Sequence, residues 1–252
     1  KGRMLYKTVH AENRLKDPIF QGETGRWADL QAELASRMAA GIGLAVASAH
    51  QSLEELHLLQ VVAGEGAVSG GLAGSDIGTG DELLLNTDRT PNRQGLALLG
   101  LVEQTGAALA AAIQSAQGTV LVHGGNPALD PAVAGALKAH GKVIYIGTHN
   151  NETAQVSDLV LPGAMWAEKA GLFANKDGRL QGFAQSVARP GSAREDWRIL
   201  ADLAAQRNDA APGSLKAVRE ALAAVLDLGE TDLNKLPARG LAPAGVTSGG
   251  DD

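Results

Sequence analysis

The sequence predicts an α/β fold with an open, mostly parallel sheet and helices on both of its faces. Short apolar runs of strand length alternate with amphipathic helical patterns, which is typical of βαβ units. Apolar residues make up 44% of the chain and aromatics only 3%, so Ala, Val, Leu and Ile must build the core. Such a composition suits helices packed closely against a sheet. The 252 residues are enough for a core that needs no disulfide or structural metal.

The amino-terminal part begins with a polar segment, 1–26, that the sequence predicts to be irregular. Apolar residues then recur at helical spacing over 27–40, which predicts a helix. The continuous apolar run Ile42–Ala47 is typical of a strand covered on both faces. A second helix is predicted to begin at Ser52, because Ser52 and Glu55 have the spacing of a capping box.

The rest of the chain repeats this alternation after two predicted loops, a Gly- and Ser-rich stretch at 64–81 and a polar stretch at 86–95. A strand–helix–strand series predicts parallel strands joined by a right-handed crossover. The patterns predict helices over 105–116 and Pro131–His140, strands over Thr119–His123, 142–147 and 158–161, and further helices over 193–206 and 214–228.

These patterns divide the chain into four parts. Residues 1–26 are a linker or the end of a preceding domain, and 27–189 form the α/β region. That region allows two subdomains with a break near 64–104. A helical segment, 190–236, follows, and 237–252 is rich in Pro, Gly and Ala and is predicted to be a flexible tail.

Charge and composition exclude several classes of function. The net charge is −6 and no run of Lys or Arg occurs, so neither a nucleic-acid footprint nor a polybasic membrane patch is expected. No apolar stretch approaches about 18 residues, so direct membrane insertion is not expected. The chain has no cysteine and therefore no disulfide, thiolate zinc site or cysteine-ligated iron–sulfur cluster. None of the six histidines forms the helical pair of zinc hydrolases, and no metal site is predicted.

Two glycine-containing stretches approach known motifs without satisfying them. The stretch 64–70 nearly matches a dinucleotide fingerprint, but a true fingerprint follows a strand and opens a helix, whereas this one follows a predicted helix. His123, Gly124 and Gly125 follow a predicted strand, where an oxyanion-hole loop of an α/β-hydrolase would lie. The required Gly-x-Ser-x-Gly sequence is absent. The sequence therefore predicts a connector in the first case and a tight strand-to-helix turn in the second.

A crevice is predicted beyond the carboxyl ends of the strands, which is where ligands bind in open parallel sheets. The loops 124–130 and 147–153 would border it. The carboxylates Glu152, Asp158 and Glu168 are predicted to lie around the same strand ends. Two interpretations stay open here. The crevice binds a ligand, or it is inherited from a ligand-binding ancestor and filled by side chains or a partner.

A long series of residues resembles one family pattern. It comprises Glu152-Thr153-Ala154, Ser157 to Pro162, Glu168 to Asn175, Gly178-Arg179 and Gln181, followed by the run Ala193 to Ile199. Ser52 to Leu56 and residues 1–4 and 9–18 agree with the same pattern. The chain is similar to the carboxy-terminal, molybdopterin-oxidoreductase-like region of the large iron–sulfur subunit of respiratory complex I, the 75 kDa subunit family. Ser157, where Ala is usual, and Leu172-Phe173-Ala174 depart from the pattern.

The resemblance implies a structural part of an NADH:quinone oxidoreductase, and whether this chain takes part in catalysis is left open. Other subunits of complex I would be its partners, with the helices and tail after Arg189 as contact elements. The complex would lie on the cytoplasmic, peripheral side of the inner membrane. No cofactor is expected in this chain, because the iron–sulfur clusters and FMN of the family lie on other segments or subunits, before Lys1 or on another chain.

No residue is assigned to catalysis or to a metal. The candidates for a vestigial cofactor crevice are Gly124, Asn126, Gly147, Thr148, Glu152, Thr153 and Asn175. Two alternatives remain. A formate-dehydrogenase-like molybdoenzyme would place pterin guanine dinucleotide contacts in the loop 147–153 and near Asn175. A soluble NAD-linked hydrogenase complex would use the chain as an adaptor.

Overall fold

A computed structural model describes residues 5–64, 66–71, 78–81, 86–207 and 212–242. Within these residues the chain forms an eight-stranded sheet and a separate two-stranded hairpin. The strands are, in chain order, β1 (Ile19–Phe20), β2 (Glu23–Thr24), β3 (Ile42–Ala47), β4 (Ala67–Gly71), β5 (Glu103–Gln104), β6 (Thr119–His123), β7 (Val143–Gly147), β8 (Leu159–Pro162), β9 (Gly171–Ala174) and β10 (Leu180–Phe183).

Helices connect most of these strands. They are α1 (Leu5–Val9), α2 (Gln31–Ala39), α3 (Leu53–Ala63), α4 (Arg93–Leu98), α5 (Gly106–Ser115), α6 (Pro131–His140), α7 (Glu152–Val156), α8 (Asp196–Gln206) and α9 (Leu215–Val225). Local sequence sets their ends. Ser52 caps α3 in the predicted capping box with Glu55, and the Asp130 side chain accepts hydrogen bonds from the first backbone N–H groups of α6. Gly141 ends α6 in the left-handed conformation.

The strand order is β2-β1-β8-β7-β6-β3-β4-β5, and the six strands from β8 to β5 are parallel. The chain first builds outward from β3 through β4 to β5, then returns to the other side of β3 and continues from β6 to β8. This is the doubly wound arrangement, and its direction reverses between β3 and β6. The predicted fold class is therefore confirmed.

Alternating side chains of the central strands build a core on each face of the sheet. On one face, Leu44 and Val46 of β3 pack in a cluster with residues of α5 and α6. On the other face, Ala45 and Ala47 pack with residues of α2, α3 and α8. Both faces of β3 are therefore buried, as its uninterrupted apolar sequence predicted.

The loop predicted over 64–81 is wrong for residues 67–71, which form β4. This strand pairs in parallel with β3, and the pairing is a long-range contact that a Gly- and Ser-rich composition does not announce. Gly66 allows the close approach, since a Cβ there would overlap the carbonyl oxygen of Ile42. Residues 72–77 of the predicted loop lie outside the described residues.

The amino-terminal segment is more ordered than its polar sequence predicted. Residues 19–24 form a two-residue-per-strand hairpin, and β1 of that hairpin adds antiparallel to β8 at the edge of the sheet. The paired residues lie about 140 positions apart in the sequence, as Ile19 and Val160 do. Such pairing is set by tertiary structure rather than by local propensity.

The helical carboxy-terminal segment packs against the sheet region. Helix α8 buries Trp197, Ile199 and Leu200 in the same cluster as α2 and α3, so its apolar face is covered by this chain rather than kept for another subunit. Helix α9 buries Val218 and Leu222 in that cluster as well. The described start of the predicted tail is tied to β10 by two backbone hydrogen bonds between Leu180 and Leu241. Residues 243–252 lie outside the described residues.

Candidate functional site

A crevice of about 540 Å³ lies where the direction of the sheet reverses, at the carboxyl ends of β3, β6 and β7. It is thus at the position where doubly wound folds bind their ligands. Its walls come from the loops after these strands, from the segment before β1 and from the loop after β8. Its lining includes Thr8, Gln51, Gly124, Gly125, Tyr145, Gly147, Thr148, His149, Asn151, Trp166, Lys169 and Phe173.

The turn after β6 brings the backbone close to the crevice floor. Gly124 and Gly125 have φ angles of +70° and +66°, the left-handed region that favours glycine. A Cβ on Gly124 would also overlap the Nε2 atom of Gln51. This turn confirms the tight strand-to-helix connection that the sequence predicted.

Tyr145, in the middle of β7, joins two loops of the crevice through its hydroxyl. Its hydroxyl donates to the carbonyl oxygen of Gly125 at 2.9 Å and accepts from Asn151 Nδ2 at 2.9 Å. Burial raises the pKa of Tyr145 to about 12, so the hydroxyl keeps its proton near neutral pH. Asn151 Oδ1 in turn accepts from the backbone N–H of Ala154 and caps α7.

The floor of the crevice is a group of buried charged residues. Lys169 Nζ lies 2.7 Å from Glu55 Oε1, 3.1 Å from Asp196 Oδ2 and 3.2 Å from Gln51 Oε1. Asp196 Oδ2 also accepts from the backbone N–H of Ala164 at 2.9 Å. Lys169 reaches the crevice, but its ammonium already binds two carboxylates and an amide oxygen.

The electrostatics of this floor follow from burial and close pairing. Burial raises the pKa of Glu55, and the attraction of Lys169 only partly opposes it. Burial would also raise the pKa of Asp196, but Lys169 and the hydrogen bond from His123 outweigh it and hold that pKa well below its usual range. Burial alone would lower the pKa of Lys169, but the attraction of Asp196 and Glu55 outweighs burial, so the pKa of Lys169 is raised above its ordinary value. Asp196 and Lys169 therefore form an ionised pair.

The segment before β1 closes one wall of the crevice. Arg14 binds Glu168 through two hydrogen bonds of 2.8 and 2.7 Å, and both side chains are buried. Arg14 Nε also donates to the carbonyl oxygen of Thr148 at 3.0 Å. His149 Nε2 lies 3.0 Å from the carbonyl oxygen of Thr8 and must donate to it, because a carbonyl oxygen only accepts. Burial lowers the pKa of His149.

The structure separates the seven predicted crevice residues into three groups. Gly124, Gly147 and Thr148 line the crevice. Asn126, Glu152 and Thr153 form a hydrogen-bonded network of their own between the loops after β6 and β7, in which Asn126 Nδ2 donates to Glu152 Oε2 at 2.6 Å and Thr153 Oγ1 donates to Asn126 Oδ1 at 2.9 Å. Asn175 lies in the turn between β9 and β10, where its side chain accepts from the backbone of Asp177 and Arg179.

The three carboxylates that were predicted near the strand ends do not meet. Glu152 is hydrogen-bonded to Asn126, and Glu168 is paired with Arg14. Asp158 lies at the other end of the strands, because it precedes β8. There it binds Arg37 and the backbone N–H of Val143. The expectation that they surround one set of strand ends is wrong for Asp158.

Sequence reasoning missed the residues of the crevice floor. Lys169 and Asp196 both belong to stretches that carry the family resemblance, but they are separated by 27 positions, and no local pattern shows that they meet. Glu55 was recognised as a capping residue and as part of the resembling stretch Ser52 to Leu56, but not as a partner of Lys169. One of its oxygens does accept from Ser52 N at 2.9 Å, while the other binds Lys169. A double use of one side chain is invisible in the sequence.

The strand order and the crevice define an α/β protein of the doubly wound type. The sequence profile described as molybdopterin oxidoreductase matches residues 14–206, which is more than half of the chain. The chain therefore belongs to the molybdopterin oxidoreductase family.

Two kinds of curated relative share parts of this region. The chain is 47% identical over 58 residues to the mitochondrial NADH-ubiquinone oxidoreductase 78 kDa subunit of Neurospora crassa, covering 23% of this chain and 8% of that protein. It is 36% identical over 70 residues to the NADH-ubiquinone oxidoreductase 75 kDa subunit of Reclinomonas americana, covering 28% and 10%. It is 45% identical over 89 residues to the F420-dependent formate dehydrogenase 1 subunit alpha of Methanococcus maripaludis, covering 34% and 13%.

These matches confirm the resemblance to the large subunit of complex I and also extend it to formate dehydrogenases. Each of the three relatives is covered over no more than 13% of its length. The chain therefore corresponds to a small part of such proteins. In the part that the structure describes, no helix is long and apolar enough to cross a membrane.

The residues around the crevice do not offer a metal site built from protein side chains. Among the described residues, no group of three or more His, Cys, Asp or Glu side chains is placed to hold a metal ion. Glu55 and Asp196, the two carboxylates below the crevice floor, are both bound to the lining residue Lys169. A metal there would have to displace an ammonium that is already inside a buried ion pair.

Proposed function

We propose that this chain is a non-catalytic scaffold region of the large iron–sulfur subunit of an NADH:quinone oxidoreductase. In this role it supports the segments that carry the electron-transfer chain in the peripheral arm. The observation that carries the proposal is that the charged groups of the crevice floor are bound to one another. Lys169 and Arg89 are the two cationic side chains in the lining, and the buried one, Lys169, is held by Glu55, Asp196 and Gln51.

The other polar groups of the crevice support the same reading. The Tyr145 hydroxyl is used by Gly125 and Asn151, and the ring nitrogens of His149 lie within hydrogen-bonding distance of Thr148 and Thr8. A ligand would gain little from groups that must first give up buried hydrogen bonds. The pairs instead join the loops after β6, β7 and β8 to the segment before β1, as expected of a scaffold.

The partners of this scaffold are the other subunits of the complex, and its place is the cytoplasmic, peripheral side of the inner membrane. The proposed partners are supported by the relatives named as NADH-ubiquinone oxidoreductase subunits, and the proposed location follows from the resemblance to complex I. Isolation of the native complex from the source organism tests them. Co-purification with the other subunits of an NADH:quinone oxidoreductase is expected. Co-purification with a nickel–iron hydrogenase subunit would instead support the adaptor role.

A crevice-filling variant tests the scaffold role directly. Thr8→Trp places an indole at the crevice wall and keeps the Thr8 carbonyl that His149 binds. Lys7→Trp is the matched control, since Lys7 is an exposed neighbour in the same helix. A scaffold predicts that the assembled complex keeps its NADH:quinone activity in both variants. Loss of activity with Thr8→Trp alone, in a complex of normal subunit composition, would contradict it.

A second candidate is a fragment of a formate-dehydrogenase-like molybdopterin enzyme. The 45% identity over 89 residues to a subunit named as an F420-dependent formate dehydrogenase favours it. It predicts molybdenum or tungsten in stoichiometric amount with the full-length subunit. Elemental analysis of the native complex for iron, molybdenum and tungsten separates the two. The scaffold role predicts iron alone, and stoichiometric molybdenum or tungsten would overturn it.

A further inference from the structure

The charged floor of the crevice contains more acid than base. The group, here called the floor cluster, consists of Glu55 on α3, His123 at the end of β6, Lys169 after β8 and Asp196 at the start of α8. All four side chains have an exposed fraction of 3% or less. Two carboxylates thus share one ammonium, and their charges sum to −1 if His123 is neutral.

An uncompensated charge is expensive in such a place. Its charged form loses the solvation that water would supply, and a buried group usually neutralises itself by binding or releasing a proton instead. Lys169 cannot balance two carboxylates. The floor cluster therefore reaches neutrality only if it binds one further proton.

The geometry of His123 is suited to this role. Its Nε2 lies 3.2 Å from Asp196 Oδ1, and it donates to that oxygen because Asp196 is ionised. Its Nδ1 is buried and has no hydrogen-bond partner in the described part of the chain. Protonation of Nδ1 would therefore break no existing hydrogen bond. Glu55 is the other candidate carrier, since burial raises its pKa.

The charged groups on the surrounding elements are balanced by partners of their own. Glu54, beside Glu55 on α3, binds Arg219 of α9, with 2.8 Å between Oε1 and Nε. Glu168 is balanced by Arg14. Tyr145 of β7 is neutral because burial raises its pKa to about 12. The neighbouring strand β9 has the sequence Gly-Leu-Phe-Ala and no titratable group.

We propose that the floor cluster is a buried proton-binding site that holds one proton, on His123 or on Glu55, at neutral pH in addition to those of the Lys169 ammonium. The crevice floor is then uncharged at neutral pH and becomes negative when that proton leaves. The site connects α3, β6, the loop after β8 and α8, so its protonation state acts on the junction between the sheet and the carboxy-terminal helices. This inference does not depend on the proposed scaffold role.

Glu55→Gln tests the site, because it removes one carboxylate charge and leaves Lys169 and Asp196 as a balanced pair. The unfolding equilibrium constant of the full chain is measured by urea denaturation between about pH 5 and pH 9 for the wild type and the variant. A folded state that holds one extra proton predicts that the ratio of the two constants, wild type over variant, rises by up to about tenfold per pH unit until the proton leaves. A ratio that stays constant over this range would overturn the proposal.

Glu54→Gln is the matched control. Glu54 is a buried carboxylate on the same helix, but it has its own cation, Arg219. Its replacement is expected to destabilise the chain at every pH in the range, without the tenfold change per pH unit in the ratio to wild type. A pH-dependent ratio of the same slope for this variant would show that the effect does not belong to the floor cluster, and would also overturn the proposal.

A measurement on the folded wild-type chain covers the case in which a variant does not fold. Nitrogen NMR of histidine-labelled protein distinguishes a neutral His123 ring, with one protonated nitrogen, from an imidazolium with two. Infrared spectroscopy detects the C=O stretch of a protonated Glu55. One of the two signals is expected at pH 7. A neutral His123 ring together with the absence of a carboxylic acid band would overturn the proposal.

Discussion

Replacement of Lys169 by Met is the sharpest test of what holds the crevice floor together. The variant keeps most of the side-chain length but removes the ammonium that binds Glu55 at 2.7 Å and Asp196 at 3.1 Å. The floor cluster then keeps a buried negative charge that no ammonium balances. Removal of one partner from a buried ion pair costs about 3–5 kcal/mol, because the remaining charge has lost both its solvent and its partner.

The size of the loss depends on pH in a way that identifies its cause. Protonation of Glu55 or Asp196 removes the unpaired charge, so the destabilisation is expected to shrink as the pH falls from 7 toward 5. The assay is urea denaturation followed by circular dichroism, with the slope against urea compared between variants. Lys176→Met is the control, because Lys176 makes an exposed pair with Asp177 and its loss is expected to change the free energy of unfolding by less than about 1 kcal/mol.

Two results would refute this reasoning. A loss of less than about 1 kcal/mol for Lys169→Met would mean that the ion pairs contribute no more than surface pairs do. A loss of the expected size that is independent of pH would point to lost packing of the lysine side chain rather than to an unpaired charge.

Three further substitutions test the turn after β6, the packing of the core and the protonation of His57. Gly124→Ala is expected to cost about 1–3 kcal/mol, because the position has a φ of +70° and Gln51 occupies the space, whereas Gly182→Ala adds only an ordinary contact with Leu172 and is the control in the same denaturation assay. Leu59→Ala, at a fully buried position of α3, is expected to cost about 2–5 kcal/mol in chemical denaturation, and a smaller loss would contradict the assigned core. Burial lowers the pKa of His57, so its neutral form is favoured in the folded chain and stability is lost as the pH falls below about 6.5; His57→Gln is expected to flatten that decline in a pH series of unfolding, and an unchanged decline would contradict the shift.

The sequence was sufficient for the four strands β3, β6, β7 and β8 at the centre of the sheet, because there local patterns and tertiary structure agree. Strand β3 was predicted over its full length, since an apolar run of only six residues is too short for most helices and is typical of a strand buried on both faces. The start of α3 was also predicted, because the capping box of Ser52 and Glu55 is a local interaction over three residues. Consistency between levels of this kind is what makes an element predictable.

The strands outside this centre could not be predicted in the same way. Strand β4 contains Gly70 and Gly71, and β1 has two residues, so neither carries a periodic apolar pattern. Each exists because a longer strand beside it, β3 or β8, offers backbone groups to pair with. Information of that kind lies in residues far away along the chain.

The candidate site shows the same limit at the level of side chains. The prediction placed the crevice at the correct strand ends, because the geometry of parallel sheets determines where loops converge. It could not show that Asn126 binds Glu152 and Thr153 instead of facing the crevice. Short polar side chains in adjacent loops can pair with one another or with a ligand, and their sequence is the same in both cases.

Several residues that carry the family resemblance form buried ion pairs that join parts of this chain. Glu168 and Lys169 stand together in the first of the resembling stretches, and each enters a buried ion pair, the one with Arg14 and the other with Glu55 and Asp196. Asp196 belongs to the second stretch and caps the junction by accepting from the backbone of Ala164. The two stretches therefore meet in space at the crevice floor. These residues join the sheet to its last helices. Their resemblance to the family pattern therefore indicates a shared fold and does not point to a catalytic group.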